Sequence, residues 1–303
     1  EYVHQHQEAA MDSLWHQLSL TIGKCKCCCS KDRLAEGQDT VQRSERKAYP
    51  YVVDMDPDFL GQDPWTLAMT GLSEKTGGDL EERGDIEVEG GGVYRGQWRG
   101  QLKHGHGLLL QPDGQRYEGA FMEGRAHGHG IFTATDGSSY HGQWVQDRAH
   151  GNGRYTHVNG SAYQGEWYSD EKCGRGIESW ADGARYEGEF LHGRKHGHGC
   201  YRSGNGTVYA GQFMHDKMHG KGKYTFADGR FFEGDWKNGH MNGKGKMKWN
   251  NGSFHEGMYE RGLMHGEGVF TWPDGKKYVG QWRNGRQDGS GVSIDSSGVR
   301  IQG

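Results

Sequence analysis

From residue 94 onward, apolar and polar positions fall into one short repeated figure: aromatic, any residue, glycine, any residue, aromatic. The figure opens at Tyr94, Tyr117, Tyr140, Tyr163, Tyr186, Tyr209, Phe232, His255 and Tyr278, and every interval is 23 residues. Its third place is always glycine, from Gly96 to Gly280, and its fifth is always aromatic, from Trp98 to Trp282. Alternation with period two reads as a β-strand carrying ring, glycine and ring on one face. A Gly-x-Gly pair keeps the same clock, from Gly105/Gly107 to Gly289/Gly291, and Gly197, Gly199 and Tyr201 share parity. That predicts a second strand. Between the two, segments such as 191–195 (LHGRK) predict a loop with Gly or Asp near its middle. Asp-Gly or Asn-Gly then closes each unit, from Asp113-Gly114 to Asp274-Gly275, and this dipeptide is the strongest short hairpin signal. A fixed period in the twenties means a repeat architecture. The expected fold is all-β, an elongated antiparallel meander of nine 23-residue hairpins over 93–303.

Composition changes the picture only in how such a sheet packs. Apolar residues are 32%, aromatics 12%, and 54 of 303 residues are glycine. Few aliphatics with many rings suit a thin sheet, not a thick core. The expectation is that each ring lies flat on a neighbouring strand where glycine leaves the backbone bare. An aromatic buries roughly 150–250 Å², which offsets the entropy cost of glycine. Two strands per repeat give about 9.6 Å of advance, so nine repeats would make a rod on the order of 85 Å. No stretch approaches the roughly 18 apolar residues of a membrane span. Charge is uneven: residues 93–303 carry +5 and residues 1–92 carry −9, which sum to −4. Neither value implies nucleic-acid binding.

The segments YEGEFLHGRKHGHG (186–199) and YTFADGRFFEGDWKNGHMNGKG (224–245) resemble the MORN (membrane occupation and recognition nexus) repeat. The resemblance covers residues 93 to 303. It implies β-hairpin rods that act as scaffolds at membranes or cytoskeleton, with lipid binding claimed for some members. Departures are small: His255 stands for the first aromatic of its box, Cys173 for a histidine, and the last turn is Ser297-Gly298.

Three features compete for a chemical role. His104, His127, His150, His196, His219 and His265 share one repeat position, and His106, His129 and His198 sit two residues on. Histidines at i and i+2 share a strand face, but a third ligand would come from the next repeat, about 10 Å away. They are read as packing, with no metal, no cofactor and no catalytic residue expected. Lys221, Lys223, Lys244, Lys246 and Lys248 have the opposite parity to the glycines and form a grid on two repeats. That grid suits anionic lipid headgroups, phosphoinositides included, or an acidic partner. The leader is the third. Met11, Leu14, Trp15, Leu18 and Ile22 fall at helical spacing, and Cys25, Cys27, Cys28 and Cys29 follow among lysines. An apolar stripe, clustered thiols and bases predict a palmitoylated membrane anchor over 1–35. Residues 36–92 read as an acidic linker without EF-hand spacing.

The expectation is a non-catalytic scaffold or adaptor, cytoplasmic and peripheral on the cytosolic face of a membrane. Its sheet ends or one face would pair with other proteins or with a second copy. The alternative is the N-terminal regulatory portion of a MORN-containing phosphatidylinositol-phosphate kinase or SET-domain lysine methyltransferase, with the catalytic domain outside this chain.

Overall fold

Twenty antiparallel strands, each hydrogen-bonded to its neighbours in sequence, form one open sheet in the computed structural model, which describes residues 80–303. These residues lie within the unit Glu74–Gly303. The helix expected at Met11–Ile22 and the four leader cysteines lie outside the described residues. Seven-residue strands, from β2 (Val93–Arg99) to β18 (Lys277–Arg283), carry the boxes. Nine-residue strands, from β3 (Leu102–Leu110) to β19 (Arg286–Ile294), carry the Gly-x-Gly pairs. The fifth unit, β10 (Arg185–Leu191) and β11 (Arg194–Arg202), shows the common build.

The rings do what alternation predicts. Tyr186, Gly188 and Phe190 share a face, and Tyr186 is fully buried although the sheet is a single layer. Its hydroxyl donates to the Glu189 carbonyl at 3.0 Å. Its ring edges meet Phe190 at 5.2 Å and Phe213 of the next unit at 5.1 Å, both near perpendicular. Each such pair contributes about 0.5–1.5 kcal/mol beyond area burial. Every box ring from Tyr94 to His255 touches its own fifth-place ring and that of the following unit, so one continuous ladder of rings crosses the repeats.

The glycines serve three different needs where the sequence suggested one. A Cβ on Gly199 would fall 2.5 Å from Tyr186 Oη, so this is the glycine the ring lies on. A Cβ on Gly188 would meet Gly199 Cα and the His198 carbonyl at 2.6 Å, so here two backbones approach closely. Gly197 has φ 58° and sits in a bulge: Gly188 pairs with Gly199 and Glu189 with His196, leaving two extra residues on β11. The fourth box residue closes that bulge, since Glu189 Oε1 accepts the His198 amide at 3.0 Å. Gln97, Gln143, Glu166, Gln212 and Asp235 do the same in their units.

The two turns are also distributed differently from the expectation. The five-residue loop expected at 191–195 is a two-residue turn, His192-Gly193, with φ 50° and 75°. Two left-handed residues make a type I′ turn, whose twist matches the strands. The Asp-Gly turn is longer. Gly183 donates to the Trp180 carbonyl at 3.0 Å and has φ 85°, and Asp182 Oδ1 accepts the Ala184 amide at 3.0 Å. That is a type I turn followed by a left-handed glycine, a three-residue loop.

The sheet also begins before the first box. Strand β1 (Glu81–Glu87) pairs with β2, inside the stretch read as linker. Its Gly84 stands 23 residues before Gly107, and Gly91 donates to the Val88 carbonyl at 3.1 Å as Gly114 does to Gln111. It is the second half of a degenerate repeat. At the other end β20 (Arg300–Gln302) pairs with β19, with Ile301 in the place of a box tyrosine.

Candidate functional site

The sheet has a ring face and an opposite face, and each gathers functional candidates. On the opposite face the five lysines come together as parity requires, on the strands Lys217–Thr225 and His240–Lys248. They are not a bare cationic grid. Lys221 Nζ lies 2.7 Å from Asp235 Oδ1, Lys223 4.0 Å from Glu233 and Lys246 3.4 Å from Glu256. Lys223 and Lys246 also stand over the rings of Phe231 and Phe254 at 4.4 and 4.7 Å. The lysine hydrogen bond, ahead of burial, holds the Asp235 carboxyl below its ordinary range. These acids sit on the facing strand, where sequence spacing alone does not reveal the pairing.

The histidines occupy the same face. His104 Nδ1 accepts the Glu123 amide of the next unit's turn at 3.4 Å. Nδ1 of His127, His196 and His219 is buried and finds no hydrogen-bond partner among the described residues. The His196 ring touches His215, and His150 touches Tyr168, each pair joining one unit to the turn or strand end of the next. Among the described residues no group of three or more His, Cys, Asp or Glu is placed to hold a metal ion.

The ring face carries a charged cluster that the sequence reading missed. Glu178 occupies the place held by Phe132, Tyr155 and Tyr201 in neighbouring units. Lys172 Nζ lies 2.5 Å from its Oε1 and Lys195 Nζ 3.4 Å from its Oε2. All three side chains are nearly closed off from water, at 8%, 12% and 17% exposure, so desolvation is substantial for each. Tyr163 and Trp180 cover the ammonium groups at 5.0 and 4.8 Å. Burial pushes the Glu178 carboxyl up, yet the two ammonium groups outweigh it and hold it below the usual carboxylate range. The signal was a carboxylate at an aromatic repeat position. Toward the C-terminus the corresponding surface turns apolar, with Met218, Met241 and Met264 opposite the fifth-place rings Phe213, Trp236 and Tyr259.

No curated protein matches the chain. Among solved structures, the TCP domain of SAS-4 (dCPAP) of Drosophila melanogaster, in complex with a proline-rich motif of Ana2 (dSTIL), shares 13% identity at a TM-score of 0.30. It covers 70% of this chain and 97% of that one. The G-box domain of the microcephaly protein CPAP gives 12% identity and a TM-score of 0.31, covering 66% and 98%. Overlap at that level carries no functional argument. The MORN repeat model matches nine consecutive segments: 94–116, 117–139, 140–162, 163–185, 186–208, 209–229, 232–254, 255–277 and 278–300. These boundaries open on the box residues that build the ring ladder, and the chain belongs to the MORN-repeat family.

Proposed function

We propose that this chain is a non-catalytic scaffold, held at the cytosolic face of a membrane by its N-terminal cysteines, whose array presents an extended surface to a partner protein. The observation that carries the scaffold reading is the lattice itself. Nine hairpins repeat one register, one bulge and one ring ladder, so equivalent side chains stand at fixed intervals along each face. A surface that is stiff and periodic positions partners by geometry and needs no chemistry of its own.

The membrane part rests on the leader, where Cys25, Cys27, Cys28 and Cys29 follow an apolar stripe and stand among lysines. One acyl chain binds marginally and a second signal is needed for stable residence. The lysine rows are a weaker candidate for that signal, because Lys221, Lys223 and Lys246 are each within 4.0 Å of a carboxylate. Exposed charge of this kind is screened over about 8–10 Å at physiological ionic strength.

Replacing the four leader cysteines by serine is expected to move most of the full chain from the membrane pellet to the soluble fraction of a cell lysate. Replacing Lys221, Lys223, Lys244, Lys246 and Lys248 by glutamine is expected to weaken membrane association only at low salt. If the cysteine variant stays in the pellet and the lysine variant leaves it, the sheet is the lipid-binding element and the anchor reading fails.

A further inference from the structure

The residue that closes each box strand, one place beyond the fifth-position ring, faces away from the ring ladder. In five consecutive units it is apolar: Met122, Val145, Tyr168, Leu191 and Met214. All five are exposed, at 42%, 38%, 50%, 37% and 37%, so none is spent on the core. The flanking units carry charge there instead, Arg99 on one side and Lys237, Glu260 and Arg283 on the other. Consecutive members are two strands apart, about 9.6 Å, and the row therefore runs for roughly 38 Å. Single exposed apolar residues are ordinary, but five at one repeat position in consecutive units, with charge at that position on both sides, mark out a periodic surface.

What surrounds the row narrows its occupant. The direct cross-strand partners of the five are Arg125, Arg148, Glu171, Arg194 and Lys217. Four of these partners are basic, and all five are exposed. A partner therefore meets apolar side chains alternating with charged ones, basic in four units and acidic at Glu171, with Arg125 4.0 Å from Asp147 of the following turn. Seven residues of α-helix advance about 10.5 Å, close to the spacing of the row. An extended strand covers about 10 Å in three residues, but alternate faces would turn every second apolar side chain away. The mismatch for a helix is about 0.9 Å per repeat, small enough for the flexible Met122 and Met214 at the ends to follow.

We propose that this row is a docking site for an amphipathic α-helix of a partner protein, with an apolar residue at every seventh position and acidic residues beside it. The proposal rests on the scaffold reading above and names the partner's chemistry. It is independent of the cysteine anchor, whose failure in the fractionation experiment would leave it standing.

The test uses the full chain and a synthetic 28-residue helical peptide, leucine at every seventh position and glutamate on both flanks, with a scrambled peptide of the same composition. Binding is read by fluorescence anisotropy. The designed peptide is expected to bind at least about tenfold more tightly than the scrambled one, on the scale of two buried apolar contacts. Val145→Glu with Leu191→Glu is expected to remove that advantage without changing the melting curve, because both side chains face solvent. Arg148→Glu with Arg194→Glu is expected to weaken the designed peptide and to favour a peptide with lysine in place of glutamate. If the first pair of changes disturbs folding, Val145→Ser with Leu191→Ser serves as its replacement. Equal binding of both peptides overturns the proposal, and so does wild-type binding by the row variants. It is also overturned if the row variants abolish self-association of the chain, or sedimentation with phosphatidylserine vesicles, while peptide binding is unchanged.

Discussion

At the residue scale the most informative position is His255, a titratable ring where every other unit has tyrosine or phenylalanine. It is fully buried, its edges rest on Tyr259 and Trp282, and its Nδ1 lies 2.8 Å from Tyr259 Oη. Its Nε2 is buried against Gly268 without a hydrogen-bond partner among the described residues. Burial pushes this imidazole down to about 4, from an ordinary value of 6.5. The folded state thus refuses a proton that the unfolded chain accepts. The contribution to stability is complete above pH 6.5 and is lost as pH falls toward 4, about 2 kcal/mol by pH 5. Phe232 fills the equivalent place one unit earlier with no titratable atom and is also fully buried. His255→Phe should therefore flatten the acid limb of the stability curve. Thermal melts from pH 7 to 4.5 would show the wild type losing ground to the variant; parallel curves would mean that the imidazole is hydrated or protonated in the fold.

At the scale of the element, turns and bulges set the register, and here sequence reading reached its limit. The box rings and the meander were legible because an aromatic ladder needs one residue type at one interval. The kind of turn was not. Asp-Gly marks a hairpin whether the loop holds two residues or three, and the hydrogen bond from the Trp180 amide to the Ala184 carbonyl, which encloses three residues, distinguishes them. The type I′ turns were hidden because Gly or Asp near the middle of a segment marks a loop without showing how far the flanking strands run into it. Gln146 and Asp147 have φ 50° and 66°, and Asp147 Oδ1 accepts the Ala126 amide of the preceding unit at 2.7 Å. Asp170 and Asp216 make the same bond, to Ala149 and Lys195. The β1 half-repeat was missed for a related reason: it keeps Gly84 but has lost the box rings that carry the signal. Ion pairs such as Lys221 with Asp235 depend on cross-strand register, which here follows from the length of the Asp228-Gly229 loop that joins the two strands. The turn account separates two substitutions. Asp147→Gly loses a hydrogen bond but relieves a left-handed residue, and should change stability by no more than about 0.5–1 kcal/mol. Asp147→Ala loses the bond and keeps the strain, and should cost about 2 kcal/mol or more. Urea titrations that rank the two alike would contradict the strain assigned to the left-handed Asp147.

Across the whole sheet, the units are interchangeable to the extent that their contacts repeat. Tyr117 meets Trp144 at 5.3 Å and 90°, and Tyr140 meets Trp167 at 5.2 Å and 87°. Removing residues 140–162 joins Ser139 to Tyr163 and brings Trp167 to Tyr117 in the geometry Trp144 had. Stability in such arrays is close to a sum of unit and neighbour terms, so this deletion should leave a cooperatively folded sheet with a modestly lower melting temperature. Removing 163–185 is not equivalent, although it excises the same length in the same register. It takes Lys172 and Glu178 and leaves Lys195, 17% exposed, without the carboxylate 3.4 Å away. An ammonium group stripped of its partner on a largely desolvated face is destabilising, and Asp216 at 3.9 Å compensates only in part. The second deletion should therefore melt well below the first, and Lys195→Met within it should restore most of the difference, because Met218, Met241 and Met264 hold that place in later units. Equal melting temperatures for the two deletions would show that the charged cluster adds nothing to the energetics of the ring face.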